Sequence, residues 1–366
     1  MRIAIDAREL TGHPTGVGRV LTEILAAWAR SRDASAHEFV LCAPEPVDLA
    51  PFAGLHVSMQ TSPGAGTPWE QFTLPGMLRE VAADVLLAPG YTAPLRSPVP
   101  VVLIVHDVSF AAHPEWFSWR EGARRRTLTR LAALRARAVV TVSEFSRREI
   151  AAYLGIEAGK IHVIYHGLPP VGARGATDAT GASGASASRQ HVLYVGSIFN
   201  RRHVPELIEA FGRLAARHPA VHLDIVGDNR TSPWIDLEET ARASGVAERI
   251  HLRSYVGDDE LGRLYACAGA FVFLSDYEGF GLTPLEALGA GVPIVVLDTP
   301  VGHEVYGEAA LFVNRPEPSL VAAALERVLF DEQERARQLT HAKAVLSRYS
   351  WPDAAQRLLS LLTSHG

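Results

Sequence analysis

The sequence is poor in several features that point to particular classes of protein. Only two of its 366 residues are cysteines, Cys42 and Cys267, and no CxxC pair or metal-ligand spacing accompanies them. We therefore expect two buried thiols in a reducing compartment. No apolar run reaches 18 residues, and charges interrupt the short N-terminal stretch MRIAIDAREL. Neither a membrane-spanning helix nor a secretory signal is predicted, and the expected location is cytoplasmic.

An excess of charge of one sign is also absent. The net charge is −5, with 17 basic against 16 acidic residues in 1–170 and 18 against 24 in 171–366. This balance does not predict a nucleic-acid partner. A hydrophobic content of 48% and a charged content of 20% are typical of a soluble globular protein, and a chain of 366 residues favours two domains.

Short apolar segments rich in β-branched residues alternate with amphipathic segments through most of the chain. This alternation predicts parallel sheets that are covered by helices on both faces. The stretch 172–190 interrupts the pattern, because it has no periodicity and is rich in Gly, Ala, Ser and Thr. We expect two doubly wound α/β domains, over 1–170 and 191–348, joined by a flexible linker over 171–190. The predicted strands are IAID, FVLCA, DVLLA, VPVVLIVHD, AVVTVS and KIHVIY in the first domain, and HVLYVG, VHLDIVG, RIHLRS, AFVFLS and VPIVVLD in the second.

The ends of the predicted strands locate the expected ligand site. In open parallel sheets, ligands bind beyond the carboxyl ends of the strands. This rule selects five loops with unusual residues, which follow Ile5, Val105, Val195, Val226 and Leu274.

The loop after Leu274 leads into the sequence EGFGLTPLEALGAG, at 278–291. Its Gly-Phe-Gly turn allows backbone amides to approach a ligand closely, since glycine has no side chain to clash. Thr283 and the proline after it predict a helix start, with proline at the first helical position. Thr283 and Glu286 also have the spacing of a capping box. The two glycines at the end of the stretch predict a left-handed helix C-terminus.

The two glutamates of this stretch, Glu278 and Glu286, have a structural and a functional interpretation. Glu286 could serve only to cap its own helix, and Glu278 could be an ordinary solvated loop residue. A helix N-terminus, however, suits a phosphate, because its unpaired N–H groups and its dipole attract an anion. Carboxylates accept hydrogen bonds from vicinal hydroxyls. A site that offers amides to a phosphate and carboxylates to hydroxyls would suit a sugar nucleotide.

The segment SDYEGFGLTPLEALGAGVPIVV resembles the E-x7-E motif of retaining glycosyltransferase family four, among the group 1 glycosyl transferases. The similarity extends along nearly the whole chain, except for 172–190 and the far C-terminus. It implies an α/β protein with the GT-B fold, in which two doubly wound Rossmann-like domains face a central cleft. The acceptor would bind to 1–170 and the donor to 191–348, and a helix in 349–366 would cross back toward the N-terminal domain. The other similar segments are IDARELTGHPTGVGRVLTEIL, LIVHDVSF, VTVSEFSRREI, VLYVGSIFNRRHVPELIEAF and RYSW.

This resemblance implies a role for each matching residue. His106 and Glu278 would be the catalytic residues: the family's histidine touches the transferred sugar and supports positive charge at its anomeric carbon, and Glu278 would bind sugar hydroxyls. Glu286 would bind the ribose of the donor. Arg201 and Arg202 stand where the family has an Arg and a Lys on the pyrophosphate, although an exposed basic turn is the structural alternative. The remaining donor-binding residues would be Gly16, Gly18, Tyr255, Val256, Gly279, Phe280, Gly281, Leu282 and Thr283.

The resemblance also implies a reaction that uses no metal and no other cofactor. The sequence has no DxD motif, so cationic side chains and helix dipoles would stabilise the nucleotide diphosphate leaving group. The anomeric configuration would be retained by a front-face substitution, in which the leaving phosphate helps to deprotonate the acceptor hydroxyl. The expected reaction is hexosyl transfer in polysaccharide biosynthesis, to a saccharide, lipid-linked or small-molecule acceptor. GDP-mannose is the first expectation for the donor, followed by UDP and dTDP sugars.

Other functions and one further partner stay open at this point. A GT-B phosphorylase needs a pyridoxal lysine, and the only two lysines, Lys160 and Lys343, are not in convincing sites. A GT-B epimerase is a related alternative, and a sugar-nucleotide-binding protein without catalysis is a different one that the intact site residues disfavour. The predicted helix over 116–137 has seven arginines, and the aromatic residues Trp116, Phe117 and Trp119 lie at its start. It could contact anionic lipid at the inner face of a membrane, or it could be an ordinary solvated helix face.

Overall fold

The structure is a computed structural model that describes residues 1–12, 16–168 and 190–364. These residues form two compact units, of which one comprises Met1–Gly167 with Tyr349–Gly366 and the other Leu168–Arg348. The expected linker over 171–190 lies outside the described residues, except for Gln190.

A parallel sheet of seven strands forms the centre of the first unit. The strands are β1 (Arg2–Asp6), β2 (Glu38–Ala43), β3 (Val57–Thr61), β4 (Val85–Ala88), β5 (Val101–Ile104), β6 (Ala138–Thr141) and β7 (Ile161–Val163). Their order across the sheet is β3-β2-β1-β4-β5-β6-β7. The apolar strands β4, β5 and β6 are buried along their whole length, as expected for a sheet with both faces covered.

Helices connect these strands and cover the sheet of the first unit. They are α1 (Val17–Trp28), α2 (Leu74–Glu80), α3 (Trp119–Arg135) and α4 (Glu144–Leu154). The Arg-rich helix predicted over 116–137 is therefore shorter at both ends. It begins after Ser118, whose side-chain oxygen accepts a hydrogen bond from the amide of Glu121. Shorter helical segments are Arg8–Leu10, Ala34–Ala36, Ala50–Phe52, Gly66–Pro68, Trp69–Thr73, Ser109–Ala112, Pro114–Trp116 and Ala158–Lys160.

The second unit has a parallel sheet of six strands. They are β8 (His191–Val195), β9 (His222–Val226), β10 (Ile250–Arg253), β11 (Ala268–Phe273), β12 (Ile294–Leu297) and β13 (Ala310–Val313), in the order β10-β9-β8-β11-β12-β13. The helices are α5 (Val204–Arg217), α6 (Leu237–Ala243), α7 (Asp258–Cys267), α8 (Leu282–Gly289), α9 (Pro300–Tyr306), α10 (Pro318–Phe330) and α11 (Glu332–Leu346). Short helical turns are Asn200–Arg202, Ala247–Arg249 and Gly307–Ala309.

The last helix of the chain, α12 (Trp351–Thr363), belongs to the first unit. The indole Nε1 of Trp28 in α1 donates a hydrogen bond of 2.8 Å to the carbonyl of Ala355 in α12. Gly167 lies so close to the backbone of Trp351 that a Cβ at this position would overlap it. The burial of one face of α12, including Leu358 and Leu362, therefore stabilises the first unit.

The α/β architecture of two parallel-sheet domains is confirmed, and each predicted strand is present. Two strands were not predicted, and both lie at an edge of their sheet: β3 and β13. Edge strands are covered less completely, and β3 is only half-buried, so its sequence VSMQT lacks a continuous apolar run. The expectation of two buried thiols is confirmed for Cys42. Burial raises the pKa of this thiol to about 12. The same expectation is wrong for Cys267, which is exposed where α7 ends.

The strand order reverses at one position in each sheet. The reversal lies between β1 and β4 in the first unit and between β8 and β11 in the second. At such a position the two connecting segments leave the sheet on opposite faces, which opens a crevice at the carboxyl ends of the strands. The loops after β8 and β11 are therefore expected to form the ligand site of the second unit.

Candidate functional site

The loop after β8 and the loop after β11 are joined directly in the second unit. The first loop, 196–203, leads into α5, and the second, 274–281, leads into α8. The amide of Asp276 donates a hydrogen bond of 2.9 Å to the carbonyl of Arg201, so the two loops share a backbone contact. Residues that lie more than 70 positions apart in the sequence thereby meet in one site.

Arg202 and Glu278 form an ion pair between these loops. The Nε and Nη2 atoms of Arg202 lie 2.9 and 2.7 Å from Oε1 of Glu278. Only 13% of the Arg202 side chain and 18% of the Glu278 side chain are exposed. Burial by itself lowers the pKa of Arg202, but the charge of Glu278 more than offsets this effect and raises that pKa above its ordinary value. The guanidinium of Arg202 is therefore fully protonated.

His203 forms a second ionic contact between the same loops. Its backbone has a φ of +50°, and its Nε2 and Nδ1 atoms lie 2.8 and 3.3 Å from carboxylate oxygens of Asp276 and Glu206. Burial lowers the pKa of His203, but the hydrogen bonds to Asp276 and Glu206 outweigh burial and raise it to about 9. His203 is therefore a cation at neutral pH. Neither His203 nor Asp276 was predicted as a site residue, although His203 directly follows the arginine pair and Asp276 lies in the loop after Leu274.

Arg201 points to a different environment from Arg202. Its guanidinium carbon lies 4.4 Å from the ring centroid of Phe199, and the residue is half-buried. The two arginines of the predicted pyrophosphate pair therefore differ in their surroundings. Their contact with a pyrophosphate stays a prediction for both.

Helix α8 begins differently from what the sequence pattern indicated. Its first residue is Leu282, its N-cap is Gly281 with a φ of +85°, and no side chain caps it. Thr283 is therefore already inside the helix and the proline is its third residue, so the capping-box interpretation is wrong. Gly281 is required here, because a Cβ would overlap the hydroxyl of Tyr306, which donates to the Gly281 carbonyl at 3.0 Å. Without a capping side chain, the first amides of α8 are suited to an anionic ligand.

Glu286 projects from α8 and contacts the neighbouring helix α7. The hydroxyl of Tyr265 donates a hydrogen bond of 3.2 Å to its Oε2 atom. Gly279 and Phe280 are buried before the helix, and Leu282 is half-buried at its start. Tyr255, which is 69% exposed, and Val256, which is buried, follow β10 at the same carboxyl edge of the sheet. From Arg201 onward, all the predicted donor-binding residues therefore lie at the carboxyl edge of the second unit's sheet.

His106 follows β5 at the carboxyl edge of the first unit's sheet. Its Nε2 atom lies 3.1 Å from the carbonyl oxygen of Pro89, and its ring lies 5.6 and 5.5 Å from the rings of Tyr91 and His166. Burial lowers the pKa of His106 and lowers that of His166 still further. Because a carbonyl only accepts, the neutral His106 carries its proton on Nε2 and presents a lone pair on Nδ1.

Two glycines at the start of α1 and an ionic cluster at the end of β1 are the other features of the first unit. Gly16 is the N-cap of α1 with a φ of +52°, and Gly18 is buried in the first turn of this helix. Residues 13–15 of the same loop lie outside the described residues. An ionic cluster that the sequence analysis missed lies at the end of β1, where Arg8 contacts the buried carboxylates of Asp6 and Glu70 at 2.6 and 2.9 Å. Asp6 and Arg8 are separated by only one residue, but no pattern indicated Glu70.

The described residues contain neither a metal-binding cluster nor a helix that could span a membrane. In the part of the chain that the structure describes, no group of three or more His, Cys, Asp or Glu residues is arranged to hold a metal ion. Within 1–12, 16–168 and 190–364, no helix combines the length and the apolar character needed to cross a bilayer.

Comparisons with known proteins identify the class of protein that this fold and site define. A family model for glycosyl transferases group 1 matches residues 179–345, and a model for glycosyltransferase family 4 matches residues 14–170. The chain is therefore a glycosyltransferase with the GT-B fold. It belongs to the family-four type, since the two models together cover both units and most of the chain.

Curated relatives and solved structures agree with this assignment. O-antigen chain mannosyltransferase B of Escherichia coli is 26% identical over 77% of this chain and 75% of its own length. An uncharacterized glycosyltransferase of Methanocaldococcus jannaschii is 28% identical, but over 61% of this chain and only 59% of its own length. The crystal structure of Anabaena HepE with UDP and glucose has a TM-score of 0.76 at 20% identity, over 100% of both chains. At that identity the likeness concerns the fold.

Proposed function

We propose that the protein is a retaining, metal-independent hexosyltransferase that uses a nucleotide-diphosphate sugar. The observation that carries this proposal is the convergence at the switch point between β8 and β11. There the backbone of Arg201 contacts the loop that holds Glu278, and this loop leads into the uncapped start of α8, with Glu286 one turn further along the helix. Cationic, amide and carboxylate groups in one place are what a sugar diphosphate requires.

In this proposal the donor nucleotide binds to the second unit. The amides of Leu282 and Thr283 at the start of α8 and the guanidinium of Arg201 bind the pyrophosphate, and Glu286 binds the ribose hydroxyls. The charge of the leaving diphosphate is then stabilised by the protein itself, since a helix N-terminus attracts anions. Tyr255 and Val256, at the same edge of the sheet, contact the base.

In the second unit, Glu278 accepts hydrogen bonds from hydroxyls of the transferred sugar. In the first unit, His106 has a catalytic role and offers the lone pair on Nδ1, since its Nε2 contacts the Pro89 carbonyl. The leaving phosphate helps to deprotonate the acceptor hydroxyl, so the anomeric configuration is retained and no second carboxylate is needed as a base. The acceptor is a saccharide, a lipid-linked saccharide or a small molecule, bound by the first unit.

The relatives give an order of preference for the donor. Two curated relatives, from E. coli and Salmonella typhimurium, are named O-antigen chain mannosyltransferases, at 26% identity each. Anabaena HepE was also solved with UDP-glucose. GDP-mannose is therefore the first donor to test, and UDP-glucose the second.

The structure gives no support to the phosphorylase alternative. Lys160 donates a hydrogen bond of 2.7 Å to the carbonyl of Leu134 and is tied to the surface of the first unit. Lys343 is exposed on α11. Neither lysine has a feature that marks it as the holder of a pyridoxal group.

Peripheral contact with a membrane stays a prediction. Trp119, at the start of α3, is 77% exposed. A contact with a membrane would use this side chain. However, Arg124, Arg125 and Arg130 are engaged by Thr67, Glu121 and the Leu154 carbonyl, at 3.0, 2.7 and 3.0 Å. These contacts favour the ordinary solvated helix face. Co-sedimentation with anionic and with neutral vesicles, for the natural chain and Trp119→Ser, would decide between the two.

The proposed function is tested by ligand binding and by turnover. GDP-mannose or UDP-glucose should raise the melting temperature of the protein and should be turned over in excess chelator. Arg201→Ala and Glu286→Gln should each weaken free nucleoside diphosphate binding, and the loss for Arg201→Ala should be roughly 10- to 150-fold. Calorimetry with GDP and UDP measures this loss. Loss of turnover in EDTA that magnesium or manganese restores would contradict the metal-independent mechanism.

A further inference from the structure

The hydrogen bonds of Arg202 are directed to the protein itself. Its Nε atom donates to Oε1 of Glu278, from which its Nη2 atom lies 2.7 Å, and its Nη1 atom donates to the carbonyl oxygen of Ser197 at 2.8 Å. The same carbonyl accepts a second hydrogen bond, of 3.2 Å, from the hydroxyl of Tyr194. A guanidinium is a planar fork of fixed geometry, so the two hydrogen bonds and the ion pair together define its orientation.

The surroundings of Arg202 hold this orientation. Its guanidinium carbon lies 4.9 Å from the ring centroid of Phe273 and 5.6 Å from that of Phe199. Gly196 closes a third side, because a Cβ added there would lie 2.9 Å from Nη1. Only 13% of the side chain is exposed. Turning this group toward a phosphate would break the ion pair and remove the guanidinium from two aromatic faces.

Glu278 is held by only one of its two carboxylate oxygens. Oε1 accepts from Nε of Arg202 and from Oγ of Ser275, both at 2.9 Å, and lies 2.7 Å from Nη2 of Arg202. Among the described residues, no donor contacts Oε2. An acid fixed through one oxygen presents the other in a defined direction, which is the arrangement needed to accept a ligand hydroxyl.

We propose that Arg202 is a positioning residue for Glu278 and does not bind the pyrophosphate. Together with Ser275 it fixes Oε1, so that Oε2 accepts a hydroxyl of the transferred sugar. Arg201, whose guanidinium carbon lies 4.4 Å from the ring centroid of Phe199, keeps the pyrophosphate role. This inference rests on the proposed function, and it divides between two adjacent arginines the roles that the sequence motif assigns to both.

The test compares Arg202→Met with the matched control Arg201→Met. Calorimetry with GDP and UDP gives the nucleotide Kd, and release of nucleotide from GDP-mannose and UDP-glucose gives kcat and KM. For Arg202→Met we expect a nucleotide Kd within about threefold of the natural protein and a kcat lower by about 10- to 100-fold. Arg202→Lys should recover part of kcat, since it restores a cation but not the fork. Arg201→Met should instead raise the nucleotide Kd.

A double variant separates positioning from a general loss of structure. If Arg202 acts through Glu278, then Arg202→Met combined with Glu278→Gln should have the same kcat as Glu278→Gln alone. This variant also covers the case in which Arg202→Met fails to fold, because it leaves no buried carboxylate unpaired. The proposal is overturned if Arg202→Met weakens GDP or UDP binding as Arg201→Met does, or if the two single effects on kcat multiply. A natural protein that neither binds nor turns over these nucleotides would overturn the proposed function as well.

Discussion

Replacing His203 should remove a component of stability that depends on pH. The pKa of His203 rises from 6.5 to about 9 in the folded protein. At about 1.4 kcal/mol for each tenfold change in proton affinity, this rise corresponds to about 3 kcal/mol of unfolding free energy. The side chain of His203 is 18% exposed and that of Asp276 is 40% exposed, so solvent screening reduces the expected value to about 1–3 kcal/mol.

The direction of the pH dependence follows from the sign of the shift. The folded state binds the proton more tightly than the unfolded state, so the contribution is complete below about pH 6.5. It is lost as the pH rises through 9. His203→Asn removes the titrating group, and asparagine tolerates the left-handed backbone of this position, where φ is +50°. The natural protein and the variant should therefore differ in stability at pH 6.5 and converge toward pH 9.5.

Urea unfolding followed by circular dichroism at pH 6.5 and pH 9.5 measures this difference. His303→Asn is the matched control, because His303 lies 2.7 Å from Asp298 but is 56% exposed. That exposed pair should contribute little at either pH. The reasoning is refuted if the stability difference between the natural protein and His203→Asn is the same at both pH values, or if the control shows the same convergence.

Three other predictions concern the structure around the site and the thiols. Gly281→Ala should lower both the melting temperature and the affinity for GDP or UDP, and adding Tyr306→Phe should restore part of each, since the hydroxyl is the overlapping group. Thr283→Ala should change the unfolding free energy by less than about 0.5 kcal/mol, whereas loss of a true N-cap costs about 1 kcal/mol, so urea unfolding distinguishes the two. A thiol reagent should modify Cys267 in the native protein but Cys42 only after denaturation; two reactive thiols in the native protein would contradict the buried position of Cys42.

The sheets were predictable because buried parallel strands have a strong pattern. Strands such as β5 and β11 are runs of apolar residues that are buried on both faces, and turn residues or amphipathic helices follow them. The edge strand β3 could not be recognised in this way. Its alternate residues are only half-buried, so polar side chains are tolerated and the sequence resembles a loop.

The residues of the site were predictable one by one, but their contacts were not. Glu278 and Arg202 were both singled out, yet nothing in the sequence pairs two side chains that lie 76 positions apart. The pairing follows from sheet topology, since β8 and β11 are neighbours although β9 and β10 lie between them in the chain. The pKa of His203 depends on the same long-range arrangement, through Asp276.

The start of α8 shows why a local pattern can mislead. Thr283 and Glu286 have the spacing of a capping box, and a proline after the threonine strengthens that interpretation. In the structure the left-handed Gly281, held by Tyr306 of the distant helix α9, starts the helix one residue before the threonine. A tertiary contact therefore overrides a sequence preference, and it leaves the amides that a cap would have used without a side-chain acceptor.

Three of the contacts between the loops 196–203 and 274–281 differ in chemistry, and this difference determines how they respond to pH. The hydrogen bond from the Asp276 amide to the Arg201 carbonyl involves no titrating group. The contact of His203 with Asp276 depends on the imidazolium and weakens as the pH rises through 9, whereas Arg202 keeps its charge throughout this range. Two of the three contacts therefore persist when the histidine loses its proton. The ion pair of Arg202 with Glu278 and the backbone contact of Arg201 therefore hold the two loops together on both sides of pH 9.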